Sequence, residues 1–316
     1  MNGDLRGRLV VLVGGSGFFG RHLAQELLNR GARLRIASRQ AERAFRLKPL
    51  GNLGQVQIAR ADVTRPASLA PVLAGADAVV NLVGAFAGDL DAIQGAGAGR
   101  VAAAAKAAGA QAFVQISAIG ADAEGSTDYA TSKAAGEAAV LAAFPTATVL
   151  RPSVLFGPDD HFINLFAGLI ARLPVLPVFG PTAKLQPLFV DDAAVAVAEA
   201  LAAPGKHGGK TFEIGGPEVV TMLELNRRIA DAQHRKRAFI ELPDAVSGAI
   251  SALTGWLPFA PLSSDQWALL RAGNVASGAL PGLKQLGVVP RPLALFLDRW
   301  MIRYRKHGRF AAHYPA

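Results

Sequence analysis

The chain has 316 residues, half of them hydrophobic and 18% charged, enough to bury a large core and too apolar for a disordered half. It has no cysteine, which excludes disulfides, thiol nucleophiles and cysteine-based zinc sites, and its six histidines lack paired ligand spacing, so no metal is expected. The net charge of +9 is concentrated late, where residues 217–316 hold 13 basic and 7 acidic side chains, but aromatic residues do not interleave with them and nucleic acid is not expected as a partner.

Few residues precede the first predicted strand, too few for a signal or transit peptide, and a bacterial cytoplasmic protein is expected, although a mature chain with an artificial start would look the same. That strand is Leu9 to Val13, an aliphatic run of the kind buried on both faces. A glycine turn and a helix carrying Phe19, Leu23 and Leu27 follow, ending at Gly31. Strand, glycine turn and helix present backbone N–H groups to a pyrophosphate. Gly14 permits the tight turn, Gly17 clears the path of the phosphates, and Gly20 lets helix and strand approach. Ser16, Phe18 and Phe19 share this turn and are expected to touch the nucleotide.

A second strand, Arg33 to Ala37, ends in Ser38-Arg39. An acidic residue there would hold ribose hydroxyls; a guanidinium suits a 2′-phosphate, so NADP(H) is expected over NAD(H), a solvated arginine being the alternative. A third strand, Val56 to Ala59, leads to Asp62-Val63 at the adenine edge. A short helix over Ser68 to Leu73 and a fourth strand, Ala78 to Val80, run into Asn81-Leu82-Val83-Gly84. Leu82, Val83 and Gly84 are expected beside ribose and phosphate, or in a plain strand-end turn. Asp91 to Ala108 reads as a helix and Phe113 to Ser117 as a fifth strand. Such alternation implies α/β architecture with a doubly wound, Rossmann-type parallel sheet.

Tyr129 and Lys133 then fall on one face of a helix running through Ala143. An ammonium beside the phenol would lower its pKa and fit it for proton transfer near neutrality.

The phrases GGSGFFG, ADV, NLVG, YATSK and LRPSVLFGP together resemble the extended short-chain dehydrogenase/reductases, and PLFVDD and FEIGGP extend the match over nearly the whole chain. The resemblance implies a sixth strand over Val149 to Ser153, with Pro152 and Val154 beside the nicotinamide. It makes residues 1–155 the NADP(H)-binding domain, its sheet completed around 187–203, and residues 156–316 a smaller, mixed, substrate-type domain with a docking tail. Within that superfamily, KPLGNLGQV, ISAIGAD, PDDHFINLFAGL and RWMIRYRKHGRF resemble the NADPH-binding accessory subunit of respiratory complex I and its bacterial relatives. That implies NADPH as cofactor, other complex I subunits as partners, and a peripheral place on the cytoplasmic face of the inner membrane.

Active members add a Ser or Thr hydroxyl shortly after the first serine of the fifth strand. Here Ser117 is followed by Ala118 and Ile119. Unless Ser117, Ser126 or Thr127 serves, that hydroxyl is missing. Tyr129 and Lys133 are then vestigial as catalysts and the NADPH largely structural. The alternative is a soluble NADP-dependent reductase, epimerase or dehydratase.

Further on, Thr221 and Glu224 read as a capping box, and His234 to Arg237 as a solvated cap on the helix they follow. Ala245 to Ser264 carries no charge, yet its glycines and prolines argue for a buried helix and an apolar loop over Trp256 to Phe259 rather than a transmembrane span. The last helix, Leu293 to Tyr304, sets Leu297 and Met301 on one side with Arg299 and Arg303 facing away. The basic, aromatic segment Arg299 to Phe310 and the Trp256–Phe259 loop are the two expected points of attachment to a partner or membrane surface.

Overall fold

The computed structural model describes residues 5–254 and 263–309. One unit comprises Met1–Pro152, Val190–Ile214 and Ser277–Val289; the other comprises Ser153–Phe189, Gly215–Ala276 and Pro290–Ala316. The longer helices are α1 (Phe18–Asn29), α2 (Leu69–Leu73), α3 (Ala96–Ala107), α4 (Asp128–Ala143), α5 (Phe162–Arg172), α6 (Val190–Ala202), α7 (Met222–Ala232), α8 (Asp244–Thr254), α9 (Ser264–Ala272) and α10 (Ala294–Met301).

The first unit is built on seven parallel strands: β1 (Leu9–Val13), β2 (Arg33–Ser38), β3 (Val56–Arg60), β4 (Ala78–Asn81), β5 (Ala112–Ile116), β6 (Thr148–Pro152) and β7 (Thr211–Ile214). Their order is β7-β6-β5-β4-β1-β2-β3. The sheet is thus doubly wound, as the alternation predicts, and the winding reverses between β1 and β4. Val10 pairs with Leu34 on one side and Ala78 on the other, so β1 is covered on both edges and both faces, which is why it is aliphatic throughout. On one face Val11, Val79 and Phe113 pack against Val101 and Ala102 of α3 and Val140 of α4. On the other, α1 and α6 are joined by polar contacts: Arg30, just past α1 and held by Glu26 at 2.6 Å, donates to Glu199 at 2.8 Å, and His22 meets Asp191 at 2.6 Å. Asp191 belongs to the PLFVDD phrase, which opens α6 and does not complete the sheet as expected; the seventh strand is Thr211–Ile214, from the FEIGGP phrase.

At the reversal point the C-terminal ends of the strands are tied together. The Gly14 N–H donates to the Ala37 carbonyl and the Leu82 N–H to the Val13 carbonyl, each at 2.8 Å. The glycine turn, the end of β2 and the loop after β4 therefore converge where open α/β sheets bind ligands.

The second unit holds small ladders of mixed direction. Leu155–Phe156 runs parallel to Leu188–Phe189, Val175–Val178 parallel to Ala238–Glu241, and Lys184–Leu185 antiparallel to Val220–Thr221. In the PDDHF phrase, buried Asp160 accepts from the N–H groups of Gly157 and Ile163 at 3.2 and 2.6 Å, capping α5. Burial pushes its carboxyl up, against the pull of these bonds.

Several expectations for this half change. Thr221 caps α7, but Glu224 turns to Arg228, so the box lacks its second bond; a reciprocal box forms instead at Ser263 and Gln266, opening α9. Arg237 donates to the Ile170 carbonyl at 2.7 Å and so caps α5, whereas Arg235 donates to the Tyr304 carbonyl at 3.0 Å. Leu297 and Met301 are buried as predicted, but Arg303 does not face away: it donates to the Pro158 carbonyl and to Asn164, which also receives the Tyr304 hydroxyl at 2.9 Å. The chain through Tyr304 is thus part of the unit's own framework and not a loose tail. Helix α8 is not a buried helix, since Val246 and Leu253 are exposed while Ser247 and Ser251 face inward. The Trp256–Phe259 loop and Phe310 lie outside the described residues. No helix among the described residues is long and apolar enough to cross a membrane.

Candidate functional site

The glycine turn takes the form its spacing predicts. Gly14 has φ +81°, and a Cβ there would press on Val83 at 3.1 Å. A Cβ on Gly20 would lie 2.2 Å from the Gly15 carbonyl oxygen, so helix and turn touch at that position. At Gly17 an added Cβ would meet nothing nearer than the Gly14 oxygen at 4.0 Å, and space is left open in front of α1. No side chain caps α1 at Gly17 and its first turn carries no acid. With Ser16, Phe18 and Phe19 around it, this uncapped helix end has the free N–H groups and dipole that an anion requires. A pyrophosphate fits here.

At the end of β2 the Ser38 hydroxyl donates to the Gln40 carbonyl at 2.9 Å, while Arg39 stands exposed. Asp62 accepts from the Thr64 hydroxyl and N–H at 2.7 and 3.0 Å, and these bonds, with the charges of Arg39 and Arg65, hold its carboxyl below the usual range. Val63 is buried in the core beside it. In the NLVG loop, Asn81 donates to Gln115 at 2.9 Å and accepts from the Val83 N–H at 3.3 Å, fixing the path of Leu82 and Val83. A Cβ on Gly84 would lie 3.3 Å from the Lys133 ammonium, so the loop and the lysine meet.

Helix α4 begins at Asp128, because the Thr127 hydroxyl caps it by accepting the Ala130 N–H at 3.2 Å. Tyr129 and Lys133 share a face, with the ammonium 5.7 Å from the phenol ring centroid. Their electrostatics differ from the expectation. Burial pushes the phenol up to about 12 and the ammonium down to about 8, the latter against the pull of Glu137. Desolvation sets this direction for the phenol, which holds its proton far above neutrality. One turn on, Glu137 forms a bidentate pair with Arg151 at 2.8 and 2.7 Å.

Of the three candidates for the missing hydroxyl, Thr127 is occupied as a cap and Ser126 is exposed. Ser117 is buried at the end of β5, and its Oγ has no hydrogen-bond partner among the described residues. An orphaned buried hydroxyl is costly unless a ligand completes it, which fits a bound group at this point. The Pro152 carbonyl accepts from the Ile119 N–H at 3.1 Å. Val154 belongs to the second unit, where its N–H donates to Asn274.

Three contributors escaped the sequence reading. Gln94 accepts from the Ala85 N–H at 3.1 Å and donates to Ser132 at 2.8 Å, pinning the loop after β4 to α4. Phe86, at the tip of that loop, stacks on Tyr129. Arg46 donates to the Ser16 carbonyl at 2.9 Å. No local pattern marked any of them: Gln94 lies in a predicted helix, Arg46 in a 3-10 segment and Phe86 in a loop.

The model of the NAD dependent epimerase/dehydratase family matches residues 10–215. The chain belongs to that family. Within it, the chain is 32% identical to "NADH dehydrogenase [ubiquinone] 1 alpha subcomplex subunit 9, mitochondrial" of Arabidopsis thaliana, over 96% of this chain and 80% of the relative. It is also 32% identical to the ceramide reductase of Caulobacter vibrioides, over 76% of this chain and 75% of that one. Triphenylmethane reductase of Citrobacter sp., solved with NADP(H), superposes with a TM-score of 0.74 at 18% identity, covering 93% of this chain and 99% of that one. That last likeness concerns the fold.

Proposed function

We propose that this protein is a peripheral accessory subunit of the respiratory NADH:ubiquinone oxidoreductase, complex I, and that its first unit holds NADPH in a largely structural role. The observation that carries this is the similarity to the Arabidopsis subunit along 96% of the chain, which reaches past the nucleotide-binding part into the second unit. The site supports it. The glycine turn and the uncapped α1 accept a dinucleotide, Arg39 offers a cation where a 2′-phosphate would lie, and Ser117 has an unsatisfied hydroxyl. At the same time, positions 118 and 119 carry no hydroxyl, and the Phe86 ring stacks on Tyr129. Loss of one such donor costs about a hundred- to a thousandfold in rate. A nucleotide that binds only the folded state stabilises it by mass action without turnover.

Attachment would be at the cytoplasmic face of the bacterial inner membrane, through other subunits of the complex and the anionic headgroups beside them. The segment from Arg299 onward and the Trp256–Phe259 loop are the surfaces proposed for it. A second reading, an NADP-dependent reductase, is favoured by the likeness to the Caulobacter ceramide reductase and by the buried Ser117 hydroxyl, which has no hydrogen-bond partner among the described residues. Turnover assays on NADPH-loaded protein separate the two. The subunit shows none above background on long-chain keto-lipids, ketones or quinones; the reductase shows turnover that Tyr129→Phe abolishes.

A further inference from the structure

We infer that Arg46 is a second cation for the 2′-phosphate, gripping it together with Arg39, so that the preference for NADPH over NADH is set by two arginines from different segments. This rests on the nucleotide-binding proposal above and sharpens it.

Arg46 lies in the 3-10 segment Ala41–Leu50, which follows β2 and is anchored by buried Ala44 and Leu47. Its exposed side chain runs back to the glycine turn and donates through Nη2 to the Ser16 carbonyl at 2.9 Å. The turn and the end of β2 are neighbours, because the Gly14 N–H is bonded to the Ala37 carbonyl. The space between them is where the adenosine ribose lies in this architecture. A guanidinium that starts beyond β2 and ends on Ser16 spans that space. The Ser16 bond uses one of its five donors, and the guanidinium has no other hydrogen-bond partner among the described residues. The remaining donors of this exposed guanidinium stay available to a phosphate placed between the turn and the end of β2.

Other groups nearby are less suited. The Ser38 hydroxyl already donates its hydrogen bond to the Gln40 carbonyl. Lys48, two residues further along the segment, sits over the Phe45 ring at 5.1 Å. Asp62 is balanced by Thr64 and by the charges of Arg39 and Arg65. Two guanidiniums with no carboxylate bonded to either are a poor setting for a free ribose diol and a favourable one for a dianionic phosphate.

The test is equilibrium binding of NADPH, NADH and 2′,5′-ADP to the full chain stripped of nucleotide, comparing wild type with Arg46→Gln, Arg46→Lys and Lys48→Gln. A charge-assisted contact to phosphate predicts a loss of about ten- to a hundredfold in affinity for NADPH and 2′,5′-ADP on Arg46→Gln. NADH affinity should change less than about threefold on the same scale. Arg46→Lys should fall between, and Lys48→Gln should bind as wild type does. The thermal midpoint of each nucleotide-free variant checks that the fold is intact. Equal losses for NADPH and NADH would assign Arg46 to the shape of the turn and overturn the inference. Unchanged NADPH binding by Arg46→Gln would overturn it alone; wild-type protein that binds neither nucleotide would overturn the nucleotide-binding proposal as well.

Discussion

The ring of Phe86 lies flat on the ring of Tyr129, with centroids 4.7 Å apart and planes 8° from parallel. Phe86 is otherwise two-thirds exposed, at 67%. Its loop is pinned on either side, by Gln94 at Ala85 and by Asp89 accepting from the Ala92 N–H at 2.9 Å. The stack covers the one phenol in the site, and burial already holds that phenol's proton up to about 12.

Phe86→Ala should therefore admit water to the phenol and bring its titration down toward the ordinary value near 10. Ultraviolet titration of the variant against wild type and Tyr129→Phe isolates the Tyr129 step. The stability cost should be about 1 kcal/mol, as for one aromatic pair. An unmoved phenol midpoint would mean that the stack does not shield it.

Lys133 gives a prediction in pH. Its folded-state pKa of about 8 lies below the ordinary value of 10.5, so the unfolded chain binds the extra proton between those values. Stability should rise with pH across that window, and below pH 8 the full cost of burying the ammonium should be felt. Lys133→Met should flatten the rise, gaining most near pH 7 and by at most about 3 kcal/mol. Denaturant unfolding at pH 7 and pH 10 measures it; an identical slope in both proteins would contradict the assignment.

Two glycines in one turn should fail in different ways. Gly17→Val meets open space, so the nucleotide-free protein should fold normally but retain no nucleotide and lose the stabilisation that nucleotide confers. Gly20→Val drives a Cβ to within 2.2 Å of the Gly15 carbonyl oxygen and should leave little soluble protein. Released nucleotide and melting temperature of the purified variants distinguish the outcomes.

The C-terminal segment calls for two truncations. Removing residues from Tyr304 onward deletes the hydroxyl bonded to Asn164 and the carbonyl that receives Arg235, leaving partners unmet. Its cost should be about 2–4 kcal/mol of second-unit stability. Removing only residues 310–316 should leave the melting curve unchanged while making association with the membrane complex more easily broken by salt, since the basic neighbours act through screened charge. Full association of the shorter truncation after a high-salt wash would move attachment to another surface, with the Trp256–Phe259 loop next.

Most of the first unit was legible because its signals are local. The aliphatic run of β1 is buried on both sides, and the Gly14, Gly17 and Gly20 spacing encodes backbone geometry directly. Tyr129 and Lys133 fall together by helix periodicity alone. What escaped depends on contacts between distant segments. Arg46 meets Ser16 across 30 positions and Gln94 meets Ser132 across 38, and no pattern within either stretch marks the pairing. Tyr129 carried a subtler lesson: the Tyr–Lys spacing was right, but the sign of the pKa shift follows burial, which the motif does not contain. In the second unit, Arg303 looked solvent-facing because charge on a helix usually is. Its partners, Pro158 and Asn164, come from the loop and first turn of α5.

The central claim is best tested by gentle purification of the membrane fraction from the native source, followed by sizing and nucleotide analysis of whatever carries this chain. The account predicts that the chain travels in a large assembly containing flavin and iron–sulfur centres and that denaturation releases NADPH or NADP⁺ in about equal amount to the chain. A chain found only as a free soluble protein, releasing NAD(H) or no nucleotide, would contradict it.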